Sequence, residues 1–219
     1  MSDQRRMRVV IPVKSFRLAK HRLADTLSPL QRERLAMLMA TNVVAAANGY
    51  DIAIACDDND VEKWARDLGA DVIRTDGRDL NGSISLALAD SRDSGWDGVA
   101  IVHSDLPLAD SLDAVFDHFT GQVVLVPDVA MDGTNVMVVP TDRPIAFAYG
   151  PGSLARHISA VREAGLTHRL VESLELGWDI DEPEDLSVPI RSRSAAERVS
   201  VYFDEGLLIE RPTSERAPR

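Results

Sequence analysis

The sequence predicts an α/β protein built on a doubly wound, mostly parallel sheet. Three observations carry that expectation. Strand-like apolar runs alternate with helix-like segments along most of the chain. The first run, Arg8-Val9-Val10-Ile11-Pro12-Val13, is short, β-branched and unalternating, as in a parallel strand covered on both faces. A content of 45% hydrophobic and 27% charged residues over 219 residues suits one well-filled α/β domain.

The strand over 8–13 is expected at the centre of the sheet. After a basic loop, Ser28-Pro29-Leu30-Gln31 combines an N-cap serine, a proline at the first helical position and the glutamine of a capping box, so a helix should run to about 48. A strand over 51–56 and a helix over 58–68 follow, the latter stopped by Gly69 at the left-handed C′ position. Val72-Ile73 marks a short strand, 81–92 a helix, 98–103 a strand and 111–119 another helix. Two strands over 123–127 and 135–140 are joined by the polar turn 128–134. A helix over 152–164, a strand over 168–172 and a short helix over 183–188, capped by Asp181 or Glu182, complete a body of residues 1–190. The extension 191–219 has six arginines, five acidic residues and no lysine. Within it, Ser194-Ala195-Ala196-Glu197 suits a helix cap, Leu207-Leu208-Ile209 suits docking on the body or on a second subunit as a homodimer, and 211–219 is expected to lack order.

Charge and composition exclude several partner classes. With 24 basic against 35 acidic residues the net charge is −11, which repels nucleic acid and anionic membranes from most of the surface. Aromatic residues are only 5%, too few for a surface of stacking rings. Cys56 is the only cysteine, so neither an internal disulfide nor a thiolate metal cluster can form, in keeping with a reducing cytoplasm. The N-terminal residues lead into a strand rather than the apolar core of a signal peptide, and no run is long enough to span a membrane.

Ligands of such sheets bind at the carboxyl ends of the strands, and the chemistry-bearing residues cluster there. Lys14, Lys20 and Arg22 follow the first strand, where three cations suit the oxygens of a triphosphate and the charge growing on departing pyrophosphate. The glycine-rich Walker pattern is absent. Asp105, in His103-Ser104-Asp105-Leu106-Pro107, lies just past another strand. In an extended Asp179-Ile180-Asp181 the two carboxylates point the same way and, with Asp105, suit Mg²⁺, which takes hard oxygen ligands. Asp132-Gly133-Thr134-Asn135 and Gly150-Pro151-Gly152-Ser153 form a further pair, the second opening a helix whose free N–H groups favour phosphate or carboxylate, with Ser153 as N-cap or ligand donor. Each feature alone also fits a plain structural role: a solvated basic loop, a turn aspartate, a capped helix, or packing for His103 and His157.

Taken in order, Ile11-Pro12-Val13-Lys14, Ala19-Lys20-His21-Arg22-Leu23, Leu80-Asn81, His103-Ser104-Asp105-Leu106-Pro107, Asp132-Gly133-Thr134-Asn135, Gly150-Pro151-Gly152-Ser153 with Arg156-His157, and Trp178-Asp179-Ile180-Asp181 resemble the 2-phospho-L-lactate guanylyltransferase family, whose bacterial members include phosphoenolpyruvate guanylyltransferases. The likeness spans about residues 8–188. It implies a fold of the nucleotide-diphospho-sugar transferase type and transfer of GMP from GTP to a phosphorylated three-carbon acid, with release of pyrophosphate, in biosynthesis of the deazaflavin coenzyme F-420.

By that resemblance Lys14, Lys20 and Arg22 hold nucleotide phosphates and assist catalysis, Asn81 lies near the nucleotide, Asp105, Asp179 and Asp181 bind Mg²⁺, and Thr134, Gly150 and Ser153 cradle the acid. Phosphoenolpyruvate is the favoured acid, ahead of 2-phospho-L-lactate and 3-phospho-D-glycerate, and a partner enzyme is implied to consume the labile product. His21 stands where a small residue is usual, and Asp79 where glycine is usual. Two other functions compete: a glycosyltransferase of related fold, because Asp179-Ile180-Asp181 mimics an Asp-x-Asp metal motif, and a nucleotide-binding protein without turnover.

Overall fold

The computed structural model describes residues 5–210. Seven strands form one sheet in the order β3-β2-β1-β4-β6-β5-β7, from β1 (Met7–Pro12), β2 (Asp51–Cys56), β3 (Asp71–Arg74), β4 (Gly98–Val102), β5 (Val123–Pro127), β6 (Thr134–Pro140) and β7 (His168–Leu170). All pairings are parallel except those of β6, which runs against both β4 and β5. The cause is local: residues 128–133 are too few for a crossover, so β5 and β6 close as a hairpin. The reversal brings Thr134, at the start of β6, to the edge of the sheet where β4 and β5 end.

The helices are α1 (Pro29–Ala46), α2 (Asn59–Asp67), α3 (Leu80–Asp93), α4 (Asp113–Asp117), α5 (Ser153–Glu163), α6 (Leu174–Gly177) and α7 (Arg193–Asp204). The expected capping box is present at α1, where Ser28 and Gln31 cap each other's backbone. Asp79 caps α3 by accepting from Gly82 N–H at 2.8 Å, a structural role for an acidic residue at this position. Where one helix was expected over 111–119, only α4 forms, and its N-cap Leu112 offers no side-chain bond. The short helix expected over 183–188 is a 3-10 turn, Pro183–Leu186, followed by β8 (Ser187–Val188). Asp181 does not cap it: the turn is capped by Glu182, while the Asp185 carboxylate accepts from the N–H groups of both Asp181 and Glu182.

The apolar side chains divide into three clusters. One lies between the sheet and α1 and α2, centred on residues such as Ile11, Ala40, Ile54 and Val102. A second lies on the other face with α3 and α5, around Val10, Ile84, Leu125 and Leu154. The third joins Leu23 of the basic loop, Leu35 and Met39 of α1, Trp178 and Ile180, and Tyr202, Leu207 and Leu208 of the extension. Within the extension Ser192, rather than Ser194, caps α7, β9 (Ile209–Glu210) pairs with β8, and Leu207 and Leu208 are buried while Ile209 is exposed. Arg34 of α1 adds a two-pronged contact to Glu205. The order expected to fail over 211–219 concerns positions outside the described residues.

Candidate active site

Strand order sets the location. The chain steps outward from β1 through β2 to β3, then returns to place β4 on the other side of β1, so the crevice opens at the carboxyl ends of β1 and β4. A cavity of ≈ 550 Å³ lies there, and Arg22, Asp105, Thr134, Gly150, Ser153, Asp179 and Asp181 all line it. A smaller cavity of ≈ 230 Å³ adjoins it, lined by Lys14, Lys20 and Asp105.

One wall is charged. Lys20 takes a left-handed backbone (φ 56°) at the start of a 3-10 turn, His21–Leu23, whose Leu23 is anchored in the apolar cluster beneath. Its ammonium reaches Asp105 Oδ2 at 2.6 Å and Asp181 Oδ1 at 3.1 Å, with only 10% of the side chain exposed. Burial opposes the charge on Lys20, but the carboxylates of Asp105 and Asp181 prevail and raise its pKa above the ordinary lysine value. Burial likewise opposes ionisation of Asp105, and the facing ammonium prevails, holding its pKa below the usual carboxylate range. Arg22 lies farther out, 3.1 Å from Glu182 and 3.8 Å from Asp181, while Lys14 is exposed on the smaller cavity. The three cations therefore do not form one group.

The alternation expected of Asp179-Ile180-Asp181 is present: Ile180 is fully buried in the third cluster, and the carboxylates on either side line the cavity. Ile180 N–H donates to the Asp105 backbone carbonyl at 3.2 Å, tying this segment to the loop after β4. Asn135 holds it from the other side, its buried amide donating to the carbonyls of Leu176 and Gly177 and to Asp179 Oδ1 at 3.1 to 3.2 Å. Burial first, then the neighbouring Asp105 and Asp181, push the Asp179 carboxyl up to about 7.

Among the described residues no three acidic, histidine or cysteine side chains stand close enough to form a ready-made metal cage. The donor set nevertheless fits a hard divalent cation: Asp105 Oδ1 is buried without a partner, and Asp179 resists ionisation beside two further carboxylates.

The opposite wall is built to present backbone and hydroxyl groups. Asp128 accepts from Asp132 N–H at 2.9 Å and Gly133 N–H at 2.8 Å, and a Cβ on Gly133 would stand 2.6 Å from the same carboxylate. Asp132 in turn accepts from Gly152 N–H at 2.7 Å. Gly152, left-handed at φ 70°, is the N-cap of α5, so Ser153 is not the cap but the first helical residue, buried and lining the cavity. Arg156 gathers the carbonyls of Ala148, Gly150 and Pro151 on one guanidinium. Asn81 accepts from Tyr149 N–H at 2.7 Å, so its carboxamide fixes this loop. His157 is fully buried, bonded to Ala148 and Thr134, and burial holds its pKa down at about 4. Asn135, Asp132, Arg156 and His157 are thus structural partners of the site; sequence reasoning quoted them within its motifs but gave none of them a role there. For His157 a signal existed, since it falls on the buried stripe of α5 with Leu154 and Val161.

Comparison with known proteins places this geometry. Residues 7–191 match the family described as "Guanylyl transferase CofC like". The chain belongs to that family. It is 32% identical to a phosphoenolpyruvate guanylyltransferase of Rubrobacter xylanophilus, over 81% of this chain and 90% of the relative. It is 35% identical to a 2-phospho-L-lactate guanylyltransferase of Methanothermobacter thermautotrophicus, over 81% of each. A solved nucleotidyl transferase from Methanothermobacter superposes with a TM-score of 0.59 at 18% identity, covering 82% of this chain and 93% of its own, and shows the shared fold. Membership of a guanylyl transferase family does not favour the glycosyltransferase or the turnover-free reading. No helix among the described residues is long and apolar enough to cross a membrane.

Proposed function

We propose that this chain transfers GMP from GTP to a phosphorylated three-carbon acid, phosphoenolpyruvate before 2-phospho-L-lactate or 3-phospho-D-glycerate, with release of pyrophosphate, as a step of coenzyme F-420 biosynthesis. The observation that carries the reading is a cavity with two unlike walls: the carboxylates of Asp105, Asp179 and Asp181 with Arg22 on one side, Lys20 pairing with two of them from the adjoining cavity, and a helix N-terminus with the buried hydroxyls of Thr134 and Ser153 on the other. Such a cavity suits a metal-complexed nucleotide facing a small acid that carries both a phosphate and a carboxylate.

In this reading Lys14, Lys20 and Arg22 meet the nucleotide's phosphates, and Asn81, its carbonyl oxygen committed to Tyr149, offers its amide N–H groups to the nucleotide. Thr134 with its hydroxyl, Gly150 with its backbone and Ser153 at the first turn of α5 hold the acid's phosphate and carboxylate. Asp105, Asp179 and Asp181 hold Mg²⁺, which when bound supplies positive charge beside the reacting phosphate. The acid's phosphate oxygen is already nucleophilic near neutral pH, so no side-chain nucleophile enters. The residues' work is to align that oxygen with the α-phosphorus and to neutralise the departing pyrophosphate. The proposal includes a cytoplasmic enzyme, in keeping with a lone, buried Cys56, that acts beside a partner enzyme consuming its labile product, with a homodimer as the assembly to test.

The test is pyrophosphate release from GTP and Mg²⁺ with each of the three acids, repeated with ATP and CTP. Release with GTP and one acid, lost in Asp105→Ala, is the expected result. Silence with every acid, in the presence of a trap for the product, overturns the proposal.

A further inference from the structure

Thr134 and His157 form a buried pair that the reaction above uses only on one side. Thr134 is 1% exposed and His157 fully buried, yet Thr134 lines the cavity while the imidazole lies behind it, edge-on to the Tyr149 ring at 4.6 Å. His157 Nε2 is 3.0 Å from Ala148 N, and a backbone N–H can only donate. Nε2 is therefore the bare nitrogen, and in the neutral ring the proton sits on Nδ1. That nitrogen is 3.0 Å from Thr134 Oγ1, so the threonine oxygen is the acceptor. The hydroxyl retains one proton, and no acceptor for it stands within reach among the described residues.

We propose that His157 is a positioning residue which, by donating from Nδ1 to Thr134 Oγ1, turns the threonine O–H outward as a donor to an anionic oxygen of the acceptor acid. The inference rests on the functional reading above and adds to it the origin of the donor's direction. Without the histidine the hydroxyl can rotate to serve as acceptor or donor in several directions. An anion, which has only lone pairs to offer, gains most from a hydroxyl already aimed at it. Burial favours the neutral ring this requires and holds the imidazole pKa at about 4, so the arrangement persists at neutral pH.

The test is a double-mutant cycle on the full chain. Thr134→Val should raise KM for phosphoenolpyruvate about 10- to 100-fold, the range expected for a lost hydrogen bond to a charged group. His157→Phe should raise it about 10-fold, with KM for GTP unchanged, and should add less than about 2-fold when Thr134 is already valine. His157→Asn, whose amide can still donate to Thr134, should restore KM to within about 3-fold of the parent. Equal losses from His157→Phe in both backgrounds, or matching changes in KM for GTP, overturn the inference. Should His157→Phe not fold, the Asn variant and the parent decide. A long-range proton–nitrogen correlation spectrum of the parent should show His157 neutral with the proton on Nδ1, and a proton on Nε2 at pH 7 refutes it. If the parent releases no pyrophosphate with any acid, the functional reading falls. The same cycle is then read by calorimetric binding of phosphoenolpyruvate, where unchanged affinity, or none in the parent, overturns the inference and a loss repeating the pattern supports it.

Discussion

Asp179→Asn should make the metal-free protein more stable, and by an amount that depends on pH. The carboxyl is pushed from its ordinary 3.8 up to about 7 by burial and by Asp105 and Asp181, while its Oδ1 accepts from Asn135. A raised acid binds more protons in the folded chain than in the unfolded one, so stability falls as pH rises between those two values and the penalty is complete above about 7. Roughly 3 pH units correspond to about 4 kcal/mol, and partial solvent screening of the cluster brings the expected gain at pH 8 to about 2–4 kcal/mol. Asparagine keeps the shape and the acceptor for Asn135 while removing the charge. For a chain of this size the gain reads as about 5–10 °C in Tm. Thermal unfolding in chelator at pH 8 and at pH 4 is the assay: a clear rise at pH 8 that vanishes near pH 4. Mg²⁺ should stabilise the parent and leave the variant unmoved. An unchanged Tm at pH 8, or an equal gain at both values, would refute the reasoning that Asp179 is buried with an uncompensated charge beside Asp105 and Asp181.

The remaining predictions concern the supports of that wall. Lys20→Met should destabilise the metal-free protein by about 3–5 kcal/mol at pH 7, because the buried Asp105 loses its counter-charge. The depressed pKa of Asp105 means that the stability owed to this pair is present above its unfolded value and lost as pH falls, so the gap between the two proteins should close in denaturant titrations below about pH 4. Leu208→Ala should cost about 2–5 kcal/mol, since the side chain is 2% exposed in the cluster that holds Leu23 and Ile180, and its unfolding midpoint in urea would measure this.

Much of this architecture could be read from residues alone because local signals agreed with tertiary ones. Ser28 and Gln31 state the start of α1, and an apolar residue between two aspartates states which way the aspartates face once the segment is extended. Of the candidate site residues, Asp105, Asp179, Asp181 and Ser153 followed from their places at strand and helix ends and Thr134 and Gly150 from the family resemblance, and all six line one cavity. What escaped was partnership across the chain. Nothing near Asn135 says that its amide will meet carbonyls some forty residues on, and nothing near Lys20 names Asp105 and Asp181 as its partners. The extension shows the same limit: its helix is local, but the surface that Leu207 and Leu208 cover is assembled from α1, the basic loop and the acidic segment.

The division of the apolar interior has a mechanical consequence. Leu23, Trp178 and Ile180, which carry the charged wall, belong to one cluster, whereas Tyr149 and Leu154, which carry the hydroxyl wall, belong to another across the sheet. The two walls are nonetheless tied to each other, because Asn135, beside Thr134, bonds the carbonyls of Leu176 and Gly177 and the carboxylate of Asp179, so the spacing of the cleft is set by hydrogen bonds between the walls as well as by the packing behind each of them.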